Sequence, residues 1–287
     1  MVKSIYFIQN SCINLNNSLL LFIDLDVFSM NEDNLVKYYN KFNEDKRFNS
    51  RGGYVEYIVS LKYIYKYLNE FNNPKILDIG AGTGAYSIKL AEDGYDVTAI
   101  ELVKHNLRYI EKCSKVDAYQ GNAIDLSKFN DNTFDLVLLF GLMYHLISND
   151  DKIKALSEAK RVTKNNGIIM VAYIMNDYAI IMHGFKDNNI MDAINNNLVD
   201  NNFHVTPNEC DLYSYVRIED INKYNKKVKL ERIKIITPDG PTNYIRPIIN
   251  KMDKDVFNKY IDYVLSICDR KDIIGASAHV VDILKKI

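Results

Sequence analysis

The residues that could do chemistry are concentrated after Lys75, in Lys75-Ile-Leu-Asp-Ile-Gly-Ala-Gly-Thr-Gly-Ala85. An apolar run breaks into Gly80, Gly82 and Gly84, and helical spacing follows through Ala91. A strand, a glycine turn and a helix start let the backbone approach a ligand and aim free N–H groups at it. Asp78 stands two residues before the first glycine. A carboxylate there repels a pyrophosphate but attracts a cationic amino group or a sulfonium. Glu101 closes the run Tyr95-Asp-Val-Thr-Ala-Ile-Glu101. It lies about 20 residues past the turn, where a carboxylate accepts hydrogen bonds from both ribose hydroxyls. Gly80-x-Gly82-x-x-Ala85 also satisfies the dinucleotide fingerprint loosely, so an NAD-dependent oxidoreductase competes, with Asp78 counting against it.

Such side chains need a sheet edge to hold them. From Lys75 the pattern alternates strand and helix: Lys75–Ile79, Ala85–Glu92, Asp96–Glu101, Lys104–Cys113, Val116–Gln120. That rhythm predicts a parallel sheet with helices on both faces. Asp131–Phe140 reads as a buried fourth strand, Asp151–Thr163 as a helix and Ile168–Tyr173 as a fifth strand after a turn at Lys164–Gly167. Upstream, helices are expected over Glu32–Phe42 and Tyr54–Phe71, with Tyr38, Tyr39, Arg51 and Glu56 placed to face a cleft. Downstream, a helix at Arg217–Asn225, a strand at Lys229–Ile236, a tight turn at Pro238–Pro241, a helix at Asp253–Cys268 and a strand at Ala278–Leu284 complete the chain.

The glycine loop with its two carboxylates resembles the class I S-adenosylmethionine (SAM) dependent methyltransferases, of the bacterial ubiquinone/menaquinone type. Three further segments carry the resemblance. Gln120-Gly-Asn-Ala-Ile-Asp-Leu126 is similar to a Gly-Asp-Ala segment beside the adenine, with Asn122 for the aspartate. Phe140-Gly-Leu-Met-Tyr-His-Leu146 is similar to Gly-Pro-Leu-Tyr-His-Leu. Glu158-Ala-Lys-Arg-Val-Thr-Lys-Asn-Asn-Gly167 is similar to Glu-Ala-x-Arg-Val-x-Lys-Pro-Gly-Gly. Gly275-Ala-Ser-Ala-His-Val extends the likeness toward the C-terminus, while the Asn/Asp-Pro-Pro-Tyr motif of base and glutamine methyltransferases is absent.

The resemblance implies an α/β, Rossmann-like, seven-stranded, mostly parallel sheet with the last strand antiparallel, an N-terminal helical pair and a lid insertion. It implies one domain over 30–287, with a core at 73–174, a lid at 175–213 and a C-terminal sheet edge at 214–287. Residues 1–29, ahead of Met30, read as a dispensable extension. The implied activity is methyl transfer from SAM to an oxygen or nitrogen of a small molecule. Asp78 and Gly80 then border the methionine part, Gly82 and Gly84 make room, Glu101 meets the ribose, and Ala81 and Leu102 are further cofactor-binding positions. Asn122 and Ala123 flank the adenine, and the Phe140 and Gly141 backbone borders the amino group. His145, just past the fourth strand, is the candidate base; Tyr39, Tyr144, His183 and His279 are candidates for the acceptor.

Bulk properties trim the alternatives. The 287 residues carry a net charge of −1 and no basic block, which argues against nucleic acid as the main partner and so against an RNA methyltransferase. A SAM-binding sensor or scaffold without catalysis is the non-enzymatic alternative. Cys12, Cys113, Cys210 and Cys268 show neither metal spacing nor a disulfide rhythm, so no metal and a reducing cytoplasm are expected. Leu19–Ile23 is too short to span a bilayer.

Overall fold

The computed structural model describes residues 35–39, 48–208 and 211–287. The expected extension 1–29, the start of the first helix at Glu32, and Cys12 and Cys210 lie outside the described residues; 35–39 are helical. Seven strands form one sheet: β1 (Lys75–Ile79), β2 (Asp96–Glu101), β3 (Val116–Gln120), β4 (Phe134–Leu139), β5 (Thr163–Ile174), β6 (Glu231–Ile236) and β7 (His279–Lys285). Their spatial order is β3-β2-β1-β4-β5-β7-β6. The pairs among β1 to β5 are parallel, while β7 runs antiparallel to both of its neighbours.

Alternation along the strands divides the core into two layers. Ile76, Leu136, Leu138, Met170 and Val281 face one way, toward α1 (Arg51–Leu68) and α2 (Ala85–Glu92). Leu77, Val137, Leu139, Val171 and Val280 face the other, toward α3 (Asn149–Val162) and α4 (Ile218–Val228). Segment 175–213 stands apart from both. Short helical turns at Asn176–Ala179 and Ile190–Asn195 flank a wider π-helical turn at Ile180–Lys186, and Ala179, Ile180, Ala193, Val199 and Val205 make a small core with Tyr215, just past the segment.

Several boundaries differ from the sequence-based expectation by a few residues, and two of the differences have identifiable reasons. α1 begins at Arg51 rather than Tyr54, because the Ser50 hydroxyl accepts the Gly53 N–H at 3.1 Å and caps it. The glycines that look like a linker are its buried first turn, and a side chain on Gly52 would meet the Arg246 guanidinium at 3.2 Å. β5 begins at Thr163 instead of after a turn. Asn166 does take a left-handed conformation (φ 64°), but as an irregularity within the strand, and Gly167 has Thr163 Cγ2 at 2.6 Å from where a Cβ would be.

Gly84 caps α2 at φ 88°, and a Cβ there would lie 2.9 Å from Ile110 and 3.0 Å from Ile88. Gly84→Ala therefore combines left-handed strain with a clash against packed side chains, and is expected to destabilise by about 1–3 kcal/mol. Urea unfolding checks this: the midpoint should fall at constant slope, and an unmoved midpoint would contradict it.

Candidate active site

The site is assembled where β1, β2 and β4 end. Asp78 is the fourth residue of β1 and is 1% exposed, beside Ala99 of β2 and Leu138 of β4. One carboxylate oxygen accepts from the Ser87 hydroxyl of α2; the other, Oδ1, is buried with no hydrogen-bond partner. Burial pushes its pKa up to about 6, against the pull of Ser87. The turn that follows is tacked onto β2, since the Gly80 and Ala81 N–H groups both donate to the Ile100 carbonyl. Gly82 N–H donates to Glu101 Oε2 at 2.8 Å and Val103 N–H to Oε1 at 2.9 Å. Burial pushes Glu101 up to about 7, opposed by these bonds and by Asn106.

These groups open onto a cavity of about 810 Å³, a size that suits a small-molecule ligand. Asp78, Gly80, Ala81, Gly82, Glu101 and Leu102 line it at one end. Asn122, Ala123, Phe140 and Gly141 continue the wall, and the Asn122 side chain accepts the Ile124 N–H at 3.2 Å. Tyr39, Tyr144, His145 and His279 also line it. Four predicted residues do not: Arg51 donates to the Ile249 and Met252 carbonyls instead, Tyr38 packs against Tyr213, and Gly84 and His183 are also absent from the lining. Gly84 clears space for Ile88 and Ile110 inside the fold, away from the cavity wall. His183 sits on the π-helical turn with Nδ1 3.4 Å from Asp187, and segment 175–213 reaches the cavity through His204 to Pro207 instead.

His145 is 6% exposed and used at both nitrogens. Its Nδ1 lies 2.8 Å from the Leu212 carbonyl, which can only accept, so Nδ1 carries the proton. Nε2 then accepts from the Tyr39 hydroxyl at 2.8 Å. Tyr144 and Tyr213 pack on the ring with centroids at 4.6 and 5.1 Å. The histidine thus ties the loop after β4 to the N-terminal helical turn and to the end of segment 175–213.

Two buried groups had no local signal in the sequence. Asp239 reads as a turn former in Pro238–Pro241, yet it is fully buried and holds His279 Nδ1 at 2.7 Å. Lys152 reads as a surface residue at the start of α3, yet it is 2% exposed and donates to the Leu146 and Ile147 carbonyls. Burial lowers its pKa to about 8. Among the described residues, no group of three His, Cys, Asp or Glu could hold a metal, and no helix is long and apolar enough to cross a membrane.

Residues 77–171 match the family model of a methyltransferase domain. That matched segment runs from β1 into β5 and holds the glycine turn with both of its carboxylates. It is 29% identical over 132 residues to a glycine/sarcosine N-methyltransferase of Aphanothece halophytica, covering 44% of this chain and 49% of that protein. It is 27% identical over 157 residues to a ubiquinone biosynthesis O-methyltransferase of Rickettsia typhi, covering 51% and 62%. The chain spans about half the length of the curated relatives it matches. A SAM-dependent methyltransferase from Archaeoglobus fulgidus shares the fold, with a TM-score of 0.54 at 16% identity over 84% of this chain and 97% of that one. The methyltransferase cofactor SAM suits the cavity chemically: a buried carboxylate oxygen without a partner is a place for its cationic groups.

The carboxyls make this testable by pH. Both have folded pKa values above their ordinary ones, so their contribution to apo stability is fully present below about pH 4 and is lost as pH rises through about 6 and 7. A cationic ligand favours the ionised forms. The rise in melting temperature given by SAM is therefore expected to grow from about pH 5 to about pH 8. Differential scanning fluorimetry across that range measures it, and a pH-independent shift would contradict the assignment.

Proposed function

We propose that the protein transfers the methyl group of SAM to an oxygen or nitrogen of a small-molecule acceptor. The observation that carries this reading is the buried, unpartnered Asp78 oxygen on the same cavity as Glu101. In the proposal Asp78 receives the amino group, Glu101 uses its remaining lone pairs for the ribose hydroxyls, and Asn122 and Ala123 border the adenine. The Phe140 and Gly141 backbone borders the methionine part. When bound, SAM supplies a methyl carbon on a cationic sulfur. The chain contributes proximity and dryness: it aligns an acceptor with that carbon and keeps water out. Segment 175–213, which contributes His204 to Pro207 to the wall, serves as the lid. Relatives named as an N-methyltransferase and an O-methyltransferase support either acceptor atom.

Thermal unfolding with SAM, S-adenosylhomocysteine or NAD tests the cofactor half. The two adenosyl ligands at 100 times their dissociation constants should each stabilise by about 2.7 kcal/mol. Asp78→Asn should weaken SAM binding about tenfold or more without unfolding the protein. Stabilisation by NAD alone would sink the proposal.

His145 enters the proposal as a positioning residue, because a proton reaching its Nε2 would have to pass the Tyr39 hydroxyl. His145→Ala should lower the melting temperature and turnover together, whereas His145→Gln, which keeps one donor and one acceptor, should restore much of both. Equal loss of turnover in the two variants, with stability intact, would instead make His145 the base.

A further inference from the structure

Among the described residues four buried side-chain atoms have no hydrogen-bond partner: Asp78 Oδ1, Asn106 Oδ1, Tyr173 Oη and Asn225 Oδ1. Asp78 and Asn106 line the cavity, whereas Tyr173 and Asn225 do not. Asp78 has a role in the reading above, and Asn106 has none. It stands in the helix Lys104–Ile110 that follows β2 and is 2% exposed. A buried acceptor left unanswered on a ligand cavity is costly unless the ligand answers it.

The Asn106 amide is held in one orientation. Burial raises the Glu101 pKa to about 7, and N–H groups of Val103, Gly82 and Asn106 oppose that rise by donating to the carboxylate. The Asn106 amide nitrogen therefore faces Glu101, since the flipped amide would set an oxygen against an anion. Oδ1 is left over as an acceptor in the wall.

The donors already on Glu101 give that oxygen its importance. A carboxylate offers about four lone-pair positions. Gly82 N–H takes a position on Oε2, Val103 N–H takes one on Oε1, and the Asn106 amide takes a further one. About one position is left, while a ribose presents a pair of neighbouring hydroxyl donors. Glu101 alone is therefore an acceptor short. Placement agrees with this count. Glu101 stands in register with Gln120 of β3, and Gly121 N–H donates to the Glu101 carbonyl. Glu101 and Asn106 thus lie between the glycine turn after β1 and the Asn122–Ala123 turn after β3, all of them on the cavity wall.

We propose that Asn106 is a second ribose-reading residue: its Oδ1 accepts from one ribose hydroxyl of SAM while Glu101 accepts from the other. This rests on the methyltransferase reading above and deepens it. The amide reads one hydroxyl, the carboxylate reads its neighbour, and the Asn106 N–H that links them keeps both acceptors aimed. The pair selects an intact, unsubstituted diol. A phosphate esterified to either hydroxyl would remove a donor and set like charge against Glu101, so the same two side chains reject phosphorylated nucleotides.

Calorimetry of S-adenosylhomocysteine and of its 2′-deoxy and 3′-deoxy analogues on the full chain tests this without turnover. Wild-type protein should bind each analogue about tenfold more weakly than the parent ligand. Asn106→Ala should bind the parent about tenfold more weakly and should no longer distinguish it from one of the analogues, whose missing hydroxyl has already lost its acceptor. The other analogue should still bind worse, because Glu101 remains. Asn106→Leu fills the space and should repeat this pattern where the smaller side chain impairs folding. Asn106→Asp restores an acceptor oxygen in the same shape, shares a proton with Glu101, and should restore discrimination against both analogues. A penalty in Asn106→Ala or Asn106→Leu that is equal for all three ligands would overturn the proposal. So would wild-type protein indifferent to either missing hydroxyl, or Asn106→Asp blind to both. Failure of wild-type protein to bind S-adenosylhomocysteine would overturn the methyltransferase reading first.

Discussion

The carboxylate of Glu101 fixes the geometry on which the site depends. One of its oxygens takes the Gly82 N–H and the other the Val103 N–H, so a single buried acid closes both the loop after β1 and the turn after β2. Burying an ionised carboxylate is costly, and two backbone donors offset only part of that cost. Its raised pKa is the visible remainder. Asp78 stands one strand away in the same predicament, with one oxygen still unanswered. The end of the cavity is thus preorganised for positive charge before any ligand arrives, which is how a rigid fold produces selectivity without moving.

What the sequence made legible was local. Strand positions, the glycine turn and the two acidic positions could be read because apolar runs, left-handed turns and helix starts are written within a few residues of one another. The extra turn of α1 escaped because glycine is a poor helix former, and only burial beneath Arg246 explains two of them in a first turn. The glycine turn implies that Gly84 makes room for a ligand, whereas its freedom serves Ile88 and Ile110, one of them on a different element.

The acceptor side was far less legible, since its decisive contacts are long-range. His145 was found from its place after β4, but its partners Tyr39 and Leu212 lie 106 and 67 positions away. Asp239 meets His279 across 40 positions, and an aspartate between prolines and glycine already has a sufficient local explanation as a turn. His183 and His204 lie within one polar stretch with no local feature to tell them apart. Only packing separates them: His204 pairs with Asp220 at 2.9 Å beside the cavity, while His183 faces Asp187 on its own turn.

The small core that segment 175–213 makes with Tyr215 has a kinetic consequence. Its six buried side chains pack with one another, outside the two clusters on the sheet faces. Its base is fastened by polar seams: Asn176 bridges the Phe203 carbonyl and the Val205 N–H, and Arg217 pairs with Asp177. Separating those seams strips no strand from the sheet, so this segment can undergo sub-global opening at a free energy below that of global unfolding. Backbone amides there should exchange with solvent sooner than those of β1 or β4.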